Sequence, residues 1–225
     1  MRPSPSLRNA PVACALSLAT TAVTAVPVVA ADPSQGTGGT PAPSGARLDV
    51  GRRHLEVRLG RRAVVRGAVL PRARGLRALL QVRRGSHWRT LDRDRTGAHG
   101  RYALRRRLRT PMSGRARVLL RHQGHTRHRG VGRLNVYRVA AASWYGPGLY
   151  GNHLGCGGTL GYGTIGVANR TLPCGTKLTL RHAGRVVQVR VIDRGPYVAG
   201  REYDLTAATA RRLRFHGHGA ILVTR

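Results

Sequence analysis

The chain has 225 residues, enough for one large domain or two small ones. Forty Lys and Arg stand against eight Asp and Glu, a formal net charge of +32, and aromatic residues make up only 4%. A polycation of this kind seeks polyanions (nucleic acid, an anionic membrane surface, acidic wall polymers), while so few aromatics argue against reading single strands by base stacking.

Residues 1–31 read as a secretory signal peptide. Arg2 and Arg8 form a positive start, and "APVACALSLATTAVTAVPVVAA" follows as an apolar, small-residue run ending in an A-x-A-like site. A membrane anchor is the competing reading, and Pro27 and the Thr residues speak against it. Membrane contact is then expected only through this segment before its cleavage. Residues 32–46, "DPSQGTGGTPAPSGA", have no apolar periodicity and read as a disordered linker.

From residue 47 to 138 short alternating runs recur every eight to twelve residues: "HLEVRLG", "AVVRGAVL", "LRALLQVRR", "HWRTLDRD", "RYALRRRLR" and "ARVLLRH". Glycine turns are expected at "RRGSH", "TGAHG" and "MSGRA". This spacing predicts an all-β sandwich. The segment carries 27 Arg against four acids, so it holds most of the positive charge. His122, His125 and His128 form an H-x-x-H-x-x-H run, read as a solvated basic loop, because neighbouring arginines repel a cation.

Near Val139 the composition changes: Arg thins out, and Gly and aromatics rise. A second domain is expected over 139–225. Its strands are "AASWYG", "KLTLRHAG", "RVVQVRVID" and "GAILVTR", with one short helix, "LTAATARRLR", capped by Thr206. Without the signal, two cysteines remain, Cys156 and Cys174. In an exported chain they are expected to pair, closing a loop worth roughly 3 kcal/mol in the chain-entropy model. Two cysteines do not make a structural zinc site, and neither a metal nor a cofactor is expected. "GYGTIG" at 161–166 satisfies a dinucleotide pattern, but no strand–turn–helix context surrounds it, so its glycines are assigned to a loop.

The chemistry concentrates in "VIDRGPYVAGREYDLT", residues 191–206, which places Asp193, Glu202 and Asp204 within sixteen residues of an acid-poor protein. Asp193 ends a strand before a Gly195–Pro196 turn, and Asp204 stands before the helix. Folded back, the two face a common groove. Glu202 shares the parity of Asp204 and joins them if the segment is extended. Clustered carboxylates raise the pKa of at least one, making it a candidate proton donor, with Arg194 and Arg201 as cationic neighbours. The competing reading is structural: a turn acceptor at Asp193 and a helix cap at Asp204.

Three segments in order, "ASWYGPGLYGN", "VANRTLPCGTKLTL" and "VIDRGPYVAGREYDLTAATARRL", closely resemble the rare lipoprotein A (RlpA) family. The resemblance implies a six-stranded double-psi β-barrel shared with expansins, here preceded by what looks like a bacterial Ig-like β-sandwich. It implies a secreted, cell-wall-associated protein acting on peptidoglycan glycan strands. Asp193 and Asp204 fall on the family's two motif aspartates and are the candidate catalytic residues. Ser143 and Tyr145 fall on groove hydroxyls of expansins. Trp144, Tyr150 and Tyr197 offer flat faces to sugar rings, and Arg194 completes the candidate substrate-binding set. Two departures weigh against cleavage: Gly158 stands where transglycosylase-type members carry Glu, and Asn169 where they carry His. Three functions therefore compete: a lytic transglycosylase, a non-catalytic expansin-like binding or loosening module, and a secreted binder of polyanions, with peptidoglycan or another anionic wall polymer as partner and no specific nucleic acid expected.

Overall fold

The computed structural model describes residues 45–122 and 124–225; the expected signal at 1–31 and all but the end of the expected linker at 32–46 lie outside them. Among the described residues, no helix is long and apolar enough to cross a membrane.

The N-terminal strands are β1 (Arg47–His54), β2 (Glu56–Arg58), β3 (Arg62–Leu70), β4 (Arg77–Arg84), β5 (His87–Arg95), β6 (Arg101–Arg107) and β7 (Met112–His122). They are followed by β8 (His125–Tyr145), a strand of 21 residues. β1, β3 and β6 form one sheet, while β5, β4, β7, β8 and β2 pair in the other. Alternation puts Ala63, Val65 and Val69 of β3 and Tyr102 and Leu104 of β6 inward. They meet Leu80, Val82, Val118, Leu134 and Val136 of the facing sheet in one core. The result is a two-layer sandwich.

Two local expectations change. "MSGRA" is not a turn but the start of β7, paired with β8 from Met112↔Val136 onward. Its glycine serves close approach: a Cβ at Gly114 would lie 2.6 Å from the Arg83 carbonyl oxygen. The histidine run is not a loop either. His122 ends β7, His125 and His128 lie on β8, and His122 pairs with His125 across the hairpin.

β8 then leaves the sandwich without a break and enters a second body. This contains β9 (Val167–Ala168), β10 (Lys177–His182), β11 (Arg185–Asp193), β12 (Tyr203–Thr206), helix α1 (Ala207–Leu213) and β13 (Gly219–Val223). Pairing runs β8–β13–β10–β11–β9–β12, and β12 returns to β8, so six strands close a barrel. Ala140, Ala142, Leu178, Leu180, Val191, Leu205 and Ile221 fill it. Thr206 caps α1 as expected, accepting from the Thr209 amide, and Arg214 ends the helix in the left-handed region. The "GYGTIG" glycines include one that packs: a Cβ at Gly166 would lie 2.3 Å from Ile192 Cδ1.

The two bodies are joined by more than backbone. Ser113 Oγ of β7 and Thr179 Oγ1 of β10 are hydrogen-bonded at 3.3 Å, and Arg138, where β8 passes from one body to the other, donates to the Arg225 carbonyl oxygen at 2.6 Å. The sandwich depends on glycine at one crowded crossing, where a Cβ on Gly67 would lie 2.1 Å from the Asp49 carbonyl oxygen and 2.5 Å from Tyr102 Oη. Gly67→Ala is expected to lower unfolding stability by about 1–3 kcal/mol. Gly51→Ala, whose Cβ would meet only an ordinary 3.5 Å contact, is expected to cost far less. Chemical denaturation of the two variants decides it, and equal loss contradicts the crowding.

Candidate functional site

Three adjacent strands bring the two aspartates together. β9 is only two residues long, yet its Ala168 pairs with Asp193 of β11 on one side and with Asp204 of β12 on the other. Two strand spacings put the aspartate backbones roughly 10 Å apart. The residue between them is the smallest that has a side chain. On its far side Asp204 pairs with Ser143 of β8, so Asp193, Ala168, Asp204 and Ser143 form one row across four strands.

Asp204 is half-buried, and its Oδ1 accepts from Ser143 Oγ at 2.8 Å. Burial pushes its pKa above the ordinary carboxylate range, the charge of Asp193 adds to the rise, and the Ser143 hydrogen bond and the Arg201 charge oppose it. Asp193 is anchored differently. Its Oδ1 accepts from the Gly155 amide at 2.7 Å and the Arg194 amide at 2.8 Å. Each carboxylate thus keeps one oxygen, Oδ2, without a hydrogen bond from a described residue. Tyr145 follows Ser143 on the same strand face. Its Oη is buried and finds no acceptor in ordinary hydrogen-bond geometry. Burial first, then the charge of Asp193 and the polar contact between the two side chains, then the charge of Asp204, drive the phenol pKa far up. A neutral hydroxyl therefore faces two carboxyl groups.

The remaining sequence candidates divide. Glu202 leaves the acidic group: Arg138 clamps it with two bonds, 3.0 and 2.6 Å, on a partly exposed surface. The Arg194 guanidinium donates to the carbonyl oxygens of Asn169 and Leu172, each at 2.9 Å, and so binds the neighbouring loop. Trp144 alternates onto the face opposite Ser143 and Tyr145, in the parity of the core residues Ala140 and Ala142, but is exposed where the strand ends. Tyr150 and Tyr197 are exposed, Tyr197 at 80%. Asn169 is buried and its amide is committed: Nδ2 donates to the Glu202 carbonyl oxygen, and Oδ1 accepts from the Thr171 and Leu172 amides. Gly158 sits in the left-handed region with open space around it. Neither position supplies a titratable group to the aspartates.

Cys156 and Cys174 form the expected disulfide. It holds the loop that carries Gly155, whose amide grips Asp193. Gly155 was missed in the sequence, although its reason is physical: a Cβ there would lie 3.1 Å from Asp193 Oδ1 and 2.9 Å from Arg194 Cγ. Tyr162 was missed as well. It lies 5.9 Å from Tyr150 between ring centres, and Arg211 of α1 stacks 4.1 Å above it. The Tyr150 hydroxyl borders Gly146, next to Tyr145, so this aromatic pair adjoins the acidic row.

Comparison with known proteins agrees with this geometry. Residues 138–224 match the family model described as lytic transglycolase (DPBB_1). A probable endolytic peptidoglycan transglycosylase RlpA of Synechocystis is 40% identical over 100 residues, covering 40% of this chain and 31% of that protein. One of Aquifex aeolicus is 39% identical over 94 residues (41% and 42%), and the Campylobacter jejuni endolytic peptidoglycan transglycosylase RlpA is 42% identical over 74 residues (32% and 27%). The chain thus spans well under half the length of these relatives. Residues 138–224 form an RlpA-like double-psi β-barrel domain.

The raised pKa of Asp204 has a consequence for stability. The folded state holds this proton more tightly than the unfolded chain, so the contribution is full below the unfolded carboxylate value and is lost as pH rises through the folded one. Asp204→Asn keeps an acceptor for Ser143 and removes the ionisation. The variant is expected to melt higher than the parent at pH 7, with the gap closing toward pH 4. Thermal melts across that range check the sign, and a gap that widens on acidification reverses it.

Proposed function

We propose that the barrel domain cleaves peptidoglycan glycan strands by lytic transglycosylation, with Asp204 as the residue that first donates and then accepts the proton. The observation that carries this reading is the state of Asp204: half-buried, raised in pKa, oriented by Ser143 and left with one open oxygen beside Tyr145 and Asp193. The similar proteins are named as endolytic peptidoglycan transglycosylases, which supplies the substrate class.

The chemistry needs one proton-transfer group. Protonated Asp204 gives its proton to the glycosidic oxygen as the C1–O bond breaks. The muramic acid 6-hydroxyl then attacks C1 within the same sugar and returns its proton to the Asp204 carboxylate, forming a 1,6-anhydro ring without water. The internal hydroxyl brings the proximity advantage of an intramolecular nucleophile. The Asp193 charge favours the positive character that develops at C1. Tyr150 and Tyr162 offer ring faces to a neighbouring sugar. The signal-like character of residues 1–31 supports a location outside the cytoplasm, and the substrate named for the similar proteins supports one at the cell wall.

A second reading has its own support. Asn169 and Gly158 replace the family's His and Glu, and Asn169 is fully engaged in main-chain bonds. A groove lacking those groups suits expansin-like binding without bond cleavage. Digestion of purified peptidoglycan separates the two. The enzyme reading expects release of anhydromuropeptides by the parent and a fall of roughly 10²- to 10⁴-fold in Asp204→Asn. Sedimentation with peptidoglycan and no release by the parent establishes the binder. Equal release by parent and variant removes Asp204 from the mechanism.

A further inference from the structure

The sandwich has no part in that chemistry, yet it carries the densest charge in the molecule. A cleft of about 470 Å³ opens between the ends of its strands. Arg62 of β3, Arg84 of β4, Arg89 of β5 and Arg105, Arg106 and Arg107 of β6 line it. Arg109, just beyond β6, makes a seventh, and the rest of the lining is Leu91, Leu108, Thr110 and Met112. No acid lines the cleft. Among the described residues, no carboxylate forms an ion pair with any of the seven.

The arrangement brings like charges close together. Arg62 and Arg107 are paired directly across β3 and β6, where like charges repel at close range. The nearest acid on these strands, Asp92, turns its Oδ2 to the Arg105 amide at 2.6 Å rather than to a guanidinium. Arg107 gives its Nε–H to the Gly60 carbonyl oxygen. Backbone bonds of this kind fix where the strands and the Arg107 side chain stand without pairing a carboxylate to a guanidinium. Arg62 also lines a second cleft, of about 800 Å³, where the sandwich meets the barrel. That cleft adds Arg58, Arg61, Arg181 and His182, with Glu56 already held by Asn135 and Tyr137. Arg62 is the residue the two clefts share.

We propose that the Arg62–Arg107 cleft is a binding site for a base-free phosphodiester polymer, a polyol-phosphate chain whose repeating charges bridge successive guanidinium groups. Arginine forks match phosphate oxygens in pairs, and several such contacts release counterions together. The lining holds no aromatic side chain, so it offers nothing for bases to stack upon. The cleft favours a chain of charges over a nucleic acid strand, and a chain over a single ion, because seven cations in one trough exceed what one phosphate neutralises. The site is independent of whether the barrel cleaves or only binds glycan.

The test uses the full mature chain and fluorescently labelled poly(glycerol phosphate) at 150 mM NaCl, read by anisotropy. The triple substitution R105Q/R106Q/R107Q is expected to weaken binding more than tenfold. A control that removes equal charge from the other end of the sandwich, R72Q/R74Q/R77Q, is expected to change it less than about threefold, on the scale that several lost phosphate contacts imply. Parent affinity is expected to fall steeply as salt rises. Equal losses in the two triple variants overturn the proposal, since net charge alone then explains binding. So does equal or tighter binding of a DNA duplex or single strand, or absence of binding by the parent. Circular dichroism of both variants confirms that the fold is retained.

Discussion

The parallel pairing of β12 with β8 is the contact on which the barrel and its site depend. It spans only four residues on each strand, Tyr203–Thr206 against Ala142–Tyr145, but it closes a ring of six strands. Closure leaves no free sheet edge and buries Leu205 and Tyr203 against the core. The same register that joins the strands places Asp204 beside Ser143 and Thr206 beside Tyr145. Around it, Thr206 and Thr209 hold both the amide and the carbonyl of Gly166, fixing the loop that leads into β9. A two-residue strand between Asp193 and Asp204 is then enough to set their separation.

Within this frame the protein treats its acids unequally. Asp193 is stabilised by main-chain amides, and the loop that supplies one of them is tied by the Cys156–Cys174 bridge. Glu202 is neutralised by Arg138 at the join between the bodies. Asp204 receives one hydroxyl and remains half-buried near another carboxylate. Its ionised form is thus the least supported of the three. Burial that is unfavourable for folding is what makes a carboxyl group useful for moving protons near neutral pH.

The long strand β8 gives the two bodies a common element. Its first half lies in the sandwich sheet and its second half is a stave of the barrel, so the arginine-rich surface and the acidic row stand on one stiff ribbon. Charge is partitioned along it, with the cationic excess concentrated before residue 138 and the acidic pair after it. Opposite charges placed on separate bodies do not quench each other, so the basic surface and the carboxyl pair stand as separate features of one chain.

Much was legible from local pattern. Strand alternation, the Thr206 cap and the Cys156–Cys174 pair depend on neighbouring residues or on simple counting, and the resemblance carried by "DRGP" and "DLT" singled out Asp193 and Asp204 as candidates. Other features had no local signal. Glycine at 114 reads as a turn but serves a close packing contact, because the obstructing Arg83 carbonyl belongs to another strand. Arg194 looks like a ligand group beside Asp193, yet the carbonyls of Asn169 and Leu172 arrive from a distant loop and take it. Glu202 has the right parity for the acidic group, but its partner lies 64 positions away. Gly155, Ala168 and Tyr162 entered the site only through cross-strand register and loop packing. Covalent neighbours govern conformation and capping; which side chains meet is governed by ring closure, and no window of consecutive residues contains that information.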